Sequence, residues 1–233
     1  DYKAVVVAGG DGTVSQTVQA LAGMEQPPKL GIIPIGTGND LARSLGIFNT
    51  YKNHGLSALM DVILSAQTVC ADTLLLNEKT FFQCYFGIGI DAKIAHDFNF
   101  FRGRKDVQLL FSRSLNELVY GSLGLKNLMY RIPYDIRLRY NDASGERAVL
   151  TVAGNMCEII VTNAHTYAGG ARPCSKTHMS DGKFEVSVIR SPREWISLIS
   201  SRFTGTPFDV SCPGALQFQT NRIEMHLAGH SYY

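Results

Sequence analysis

Cysteine is scarce and unpaired in this sequence: its five cysteines, Cys70, Cys84, Cys157, Cys174 and Cys212, lie far apart and form no CxxC pair. An odd, scattered set argues against both a disulfide framework and a cysteine-bound zinc site, and fits a reducing, cytosolic compartment. The six histidines make no HExxH or HxH pair, so metal-dependent hydrolysis has no support. Ser44 and Ser65 lack the GxSxG setting of an esterase. Blocks of consecutive basic residues are also missing, and the formal net charge is only +2. Nucleic acid is therefore disfavoured as a partner, because nothing supplies affinity for a phosphate backbone. No apolar run approaches the ~20 residues of a membrane-spanning helix, and no basic-then-apolar signal segment opens the chain. What is present is a 45 % hydrophobic content over 233 residues, enough for a well-filled core in one large or two modest domains.

The first seventy or so residues alternate between strand-like and helix-like text. "KAVVVAGG" is a short apolar run ending in glycines, as expected of a strand covered on both faces in a parallel sheet. Val14, Val18, Leu21 and Ala22 follow at helical spacing, with Thr13 or Ser15 available as N-cap. Pro27-Pro28 breaks the chain, "KLGIIPI" reads as a second buried strand, and "GTGND" is another glycine turn leading to a short helix at Leu41 and Leu45. Leu56, Leu59, Met60, Ile63 and Leu64 form the clearest amphipathic stripe. From about residue 69 strand-like segments dominate: "CADTLLL" and "TFFQCYFGIG" around a hairpin signal at "NEK", then "YDIRLRY", "RAVLTVAG", "CEIIVTN", "KFEVSVI" and "FQTNRIEMHL". A helix is expected near 106–120, and another after Ser191 as cap and Pro192 at the first helical position. Trp195, Leu198, Ile199 and Phe203 on that helix read as core packing, with a bilayer-facing surface as the lesser alternative. The expected boundaries are an α/β domain over 1–68 and a mainly antiparallel β domain with helical insertions over 69–233.

A strand, glycine turn and helix in succession expose backbone N–H groups where the helix dipole favours an anion. Two such turns occur, Gly9 to Thr13 and Gly36 to Asp40, and neither has the Rossmann or P-loop spacing. Asp11 stands inside the first turn and would repel a phosphate that it faced directly. Three roles suit it: holding Mg²⁺, accepting the proton of an attacking hydroxyl, or capping a helix.

"GGDGT" at 9–13 together with "PIGTGNDLAR" at 34–43 resembles the diacylglycerol kinase catalytic family, within a wider group of sphingosine, ceramide and, more remotely, NAD kinases. "YFGIGIDAKIAHDF", "NAHTYAGGARPC" and "SDGKFEVSVI" are similar to its later segments, so the likeness runs along essentially the whole chain. The resemblance implies a truncated Rossmann-like α/β domain of the NAD-kinase type followed by an antiparallel β-sandwich. It also implies transfer of a phosphoryl group from ATP, with Mg²⁺, to diacylglycerol, giving phosphatidic acid. Gly9, Gly10, Gly12 and Thr13 would cradle the phosphates, Gly36, Thr37, Gly38 and Asn39 would close the nucleotide cleft, and Asp11 would be the catalytic acidic residue. Asp91 falls where sphingosine kinases face the lipid head group; the plainer alternative is a polar residue at a strand-to-helix turn. Arg102 and Arg104 are candidate phosphate clamps in place of the absent P-loop lysine, or ordinary loop charges. Arg43 is expected to steady its own turn through a carboxylate such as Asp40.

Two departures from the family pattern stand out. No glycine-turn section precedes "GGDGT", and the chain stops about where a D-G-E motif would begin. The expectation is an internal fragment with little activity in isolation. A diacylglycerol substrate implies transient contact with a membrane surface, hence a cytoplasmic protein with peripheral association. Nothing in the residues singles out a metal ligand set or an oligomeric state. The alternatives are the same chemistry on a sphingoid base or ceramide, and a non-catalytic nucleotide- or lipid-binding module.

Overall fold

The β-branched run before the first glycines becomes β1 (Ala4–Gly9), which pairs in parallel with β2 (Lys29–Pro34), from Ala4 opposite Lys29 to Gly9 opposite Pro34. A computed structural model describes residues 2–65, 68–103 and 113–227. Helix α1 (Asp11–Leu21) follows β1; α2 (Asp40–Ser44) and α3 (Ile47–Ser65) follow β2. Val14, Ile32, Leu41, Ala42 and Phe48 form their shared core, joined by Val7, Val18 and Leu30.

The expectation of a first strand covered on both faces is corrected. Val5 and Val7 turn inward, but Val6 is 42 % exposed, because α3 covers that second face over β2, where Ile63 lies against Gly31, and not over β1. Helix α1 starts before the expected Thr13 or Ser15, with Gly10 as N-cap. The stripe on α3 is rotated as well: Leu59 is fully buried and Ile63 packs inward, whereas Leu56 and Leu64 are exposed. Gly55, at φ +81°, breaks the helix just before Leu56, so the turn it begins sits at the periphery.

Beyond α3, β3 (Leu74–Leu76) and β4 (Thr80–Phe82) form the hairpin signalled by "NEK", joined by a three-residue loop in which Asn77 and Glu78 are both at positive φ. Strand β5 (Tyr85–Gly89) runs into α4 (Ile90–Arg102), and α5 (Arg113–Lys126) packs on α4. A side chain on Gly89 would collide with the Cys157 carbonyl at 2.3 Å, so this strand-to-helix turn needs glycine. The helix expected from residue 106 lies outside the described residues as far as 112 and is helical from Arg113.

The remaining strands are β6 (Ile136–Asn141), β7 (Arg147–Val152), β8 (Glu158–Thr162), β9 (Phe184–Ile189), β10 (Leu216–Thr220) and β11 (Ile223–Leu227). They build two antiparallel sheets, β10-β9-β8-β5 and β11-β6-β7. Ile136, Leu138 and Val152 from one sheet meet Ile159, Val161, Val186 and Val188 from the other, so this half is a β-sandwich. "FQTNRIEMHL" is two strands rather than one: the chain turns at Asn221-Arg222 and changes sheets. Helix α6 (Pro192–Thr204) begins as read, with the Ser191 hydroxyl accepting from the Glu194 N–H. Together with α7 (Phe208–Ser211) it covers the other face of the four-stranded sheet through Leu198 and Phe208, with Trp195 and Ile199 packed alongside. Strands β8 and β9 are thereby buried on both faces. Phe203 does not join this packing; it is exposed at the last turn under the Arg202 guanidinium. The architecture is α/β followed by mainly antiparallel β.

Candidate active site

Gly9 and Pro34 are register partners at the carboxyl ends of two parallel strands, so both glycine turns leave the sheet at the edge where α/β folds place ligands. The turns touch through their backbones. A β-carbon on Gly36 would lie 2.3 Å from Gly10 Cα, and one on Gly9 would lie 2.6 Å from Thr13 Cβ. Gly12 differs, since a β-carbon there would meet nothing within 4 Å. Asn39, buried and left-handed at φ 55°, closes the second turn: its Oδ1 accepts from the Gly36 N–H at 2.9 Å and its Nδ2 donates to the Gly36 carbonyl at 2.7 Å.

Asp11 links the two turns. Its Oδ2 accepts from the Asp40 N–H and its Oδ1 from the Leu41 N–H, both at 3.0 Å, so its carboxylate caps α2 rather than its own helix. Two N–H groups of the second turn's helix are thereby already used. At α1 the first intrahelical bond is Val14 N–H to the Gly10 carbonyl, and among the described residues no side chain caps the amides before it. Those of Gly12 and Thr13 remain available to an anion.

Asp40, itself 1 % exposed, receives the Gly169 N–H at 2.9 Å, and its carbonyl accepts from the Thr166 hydroxyl at 3.0 Å. Burial, and then the neighbouring Asp11 charge, push its carboxyl up to about 6. Arg43 steadies its own turn: its Nε donates to the Gly38 carbonyl at 2.9 Å, its charge partly offsets the rise of the Asp40 carboxyl, and it lies over the Phe48 ring. A β-carbon on Gly38 would be 3.1 Å from Asp11 Oδ2 and 3.3 Å from Asp40 Oδ2, so both carboxylates converge on that glycine. Thr37 is reached from α5 by the Asn116 amide at 3.4 Å.

Asp11, Gly12, Leu41, Gln83, Cys84 and Tyr85 are among the residues lining a cleft of about 190 Å³ between the start of α1, α2 and the β4–β5 connection. Burial and the Asp11 and Asp40 charges hold the Cys84 thiol far above its usual range, so it stays protonated. Asp91, in the first turn of α4, is pushed up to about 6 by burial, partly offset by the nearby Tyr167 hydroxyl. The same Tyr167 hydroxyl donates to Glu158 Oε1 at 3.1 Å, and the Tyr167 ring meets Tyr85 edge-on at 4.7 Å. Glu158 is fully buried, and burial with the Asp91 charge raises its carboxyl strongly. Asp91 therefore joins the far side of the assembly that carries Asp11 and Asp40, through the Tyr85–Tyr167 pair. The Arg102 side chain and all of Arg104 lie outside the described residues.

The model of the diacylglycerol kinase catalytic domain matches residues 1–75 and that of the diacylglycerol kinase accessory domain matches residues 81–200. The chain belongs to the diacylglycerol kinase family. It is 29 % identical to diacylglycerol kinase 2 of Arabidopsis thaliana over 211 residues, covering 81 % of this chain and 29 % of that protein. Against a diacylglycerol kinase of Mycobacterium tuberculosis it is 30 % identical, with 95 % of this chain and 66 % of that protein covered. A crystal structure of a diacylglycerol kinase from Bacillus anthracis superimposes with a TM-score of 0.61 at 19 % identity, over 99 % of this chain and 68 % of that one. The chain thus spans under a third of its plant relative and about two thirds of its bacterial ones.

Several residues of this family member's site escape a reading of motifs. Asp40 lies in the second glycine turn with no expected role beyond pairing with Arg43, and Cys84 and Tyr85 have no expected role in the site. Glu158 had a usable signal, a lone acid in the apolar run "CEIIVTN".

Proposed function

We propose that this chain carries the phosphoryl-transfer core of a lipid kinase, moving the γ-phosphoryl group of ATP to the hydroxyl of diacylglycerol and giving phosphatidic acid. The observation that carries the reading is the contact of two glycine turns at one strand edge with the Asp11 carboxylate set between them. Membership of the family, and the names of its relatives, support it.

The open α1 amides of Gly12 and Thr13 fit phosphate oxygens, and Gly36 of the second turn packs on the Gly10 backbone at the start of the same helix. Mg²⁺ is commonly held by one or two carboxylates plus substrate phosphates. Asp11 and Asp40 converge beside Gly38 and suit that set, although among the described residues no three acidic, histidine or cysteine side chains gather into a cage. When bound, Mg²⁺ supplies charge neutralisation on the phosphates. Asp11 takes the proton of the acceptor hydroxyl as its oxygen bonds to the γ-phosphorus and the bond to the departing diphosphate breaks. Each Asp11 oxygen accepts one N–H and keeps a further lone pair for that proton. Asp91 faces the acceptor's head group.

Radiolabel transfer from γ-labelled ATP to lipids in mixed micelles, with the full-length protein, tests the reading. Diacylglycerol should be labelled ahead of sphingoid bases and ceramide; preferred labelling of either of those reassigns the acceptor. Asp11→Asn should lower transfer at least about a hundredfold while ATP binding survives. A second reading, Asp11 as a cap in a nucleotide-binding module, is favoured by its two bonds to α2 and predicts no transfer by the wild type.

A further inference from the structure

Strand β6 alternates sharply: Ile136 and Leu138 are wholly buried, while Arg137 and Arg139 between them are exposed. Because β6 is the central strand of β11-β6-β7, its arginines stand mid-face on the outside of the sandwich. Their register partners share that face: Val149 and Glu224 flank Arg139, Thr151 and His226 flank Arg137, and Arg147 flanks Asn141. A groove of about 220 Å³ runs among Arg139, Asn141, Arg147, Val149, Arg222 and Glu224.

The charge on this face is one-sided. Glu224 is held by Arg222 at 3.1 Å, with His226 3.9 Å away. Asp135, at the edge, accepts the Gly154 N–H at 2.7 Å, and Asp142 is spent on the β6–β7 turn, accepting from Ser144 and Glu146. Among the described residues no carboxylate pairs with Arg137, Arg139 or Arg147. Three unpaired guanidinium groups on one exposed sheet face call for an anionic partner, and the fork of each suits phosphate and carboxylate oxygens.

We propose that the outer face of β11-β6-β7 docks on the surface of an anionic phospholipid bilayer, its arginines pairing with acidic headgroups. The proposal rests on the reading that the acceptor is a membrane lipid, which requires the protein to meet a bilayer. Nucleic acid fits the face poorly, because none of the outward residues is an aromatic on which bases could stack. Each arginine near an anionic membrane surface strengthens binding by about fivefold, an effect confined to a Debye length.

The test is sedimentation of the full-length protein with phosphatidylcholine vesicles, with and without phosphatidylserine, in the absence of ATP and diacylglycerol. Arg137→Gln/Arg139→Gln/Arg147→Gln should lower partition onto the anionic vesicles by roughly a hundredfold. Its melting temperature, and its activity on a short-chain, water-soluble diacylglycerol, should stay as in the wild type. The charge-matched control Lys52→Gln/Lys183→Gln/Arg193→Gln should bind nearly as well as wild type, and high salt should abolish the difference. Equal binding by the triple arginine variant, an equal loss in the control, or equal binding to neutral vesicles overturns the proposal. So does an RNA oligonucleotide that binds this face while anionic vesicles do not. Asp11→Asn should bind vesicles normally, so a failure of phosphoryl transfer and a failure of docking read separately.

Discussion

A carboxyl group ionises with difficulty where it is both desolvated and beside another carboxylate, and Asp40 meets both conditions. Its raised value has a definite sign for stability. Because ionisation is harder in the fold than in the unfolded chain, its contribution is fully present below pH 3.8, is lost as pH rises toward about 6, and is constant above that. The rise from 3.8 to about 6 sets an upper scale of about 3 kcal/mol. Asp40→Asn should therefore make stability, measured by urea unfolding across this window, less dependent on pH. Asp91, raised in the same direction, keeps part of the slope. An unchanged slope in Asp40→Asn would show that Asp40 ionises in the fold as it does in the unfolded chain.

Glycines in the two turns differ in what surrounds them, and the difference separates folding from ligand binding at the scale of an element. Gly36→Ala drives a β-carbon into the Gly10 backbone, which cannot swing aside as a side chain would. A loss of about 2–4 kcal/mol is expected in denaturant unfolding. Gly12→Ala meets no protein atom and sits in the first turn of α1, so its stability should hold or rise by about 0.4–1 kcal/mol. Its nucleotide affinity, read by titration calorimetry, should fall at least tenfold, because the new methyl occupies the space from which a phosphate approaches. Unchanged affinity would move the phosphates away from α1. These motifs were legible because glycine and asparagine are chosen by backbone geometry, which local text records. The start of α1 was misread because a glycine N-cap with no side-chain bond leaves no polar signature. The coverage of β1 was misread because a continuous apolar run does not say how far a neighbouring helix extends across it.

What local text records least is contact between distant segments, and the candidate site depends on such contacts at the scale of the whole molecule. Asp40 bonds Gly169, Ser44 accepts the Thr166 N–H at 3.2 Å, and Asp11 faces Cys84, so the glycine turns lean on loops of the sandwich. Glu158, Tyr167 and Tyr85 come together only because β5 and β8 pair and the segment after β8 folds back. Cys84 and Met179 also pack into the core around Val14 and Leu41. The first region thus shares part of its core with side chains from the sandwich half. It should therefore unfold together with the sandwich. Trp195, the single tryptophan, reports on the face of the four-stranded sheet, and amide exchange in α1 and α3 reports on the first region. In the wild type the urea transitions of both probes should coincide. Asp40→Ala removes the link to Gly169 and should separate them, with α1 and α3 exchanging at denaturant concentrations where Trp195 fluorescence is still native. Separate transitions already in the wild type would mean that the glycine turns keep their contact without the sandwich, and that Gly169 and Thr166 only cover a site formed without them.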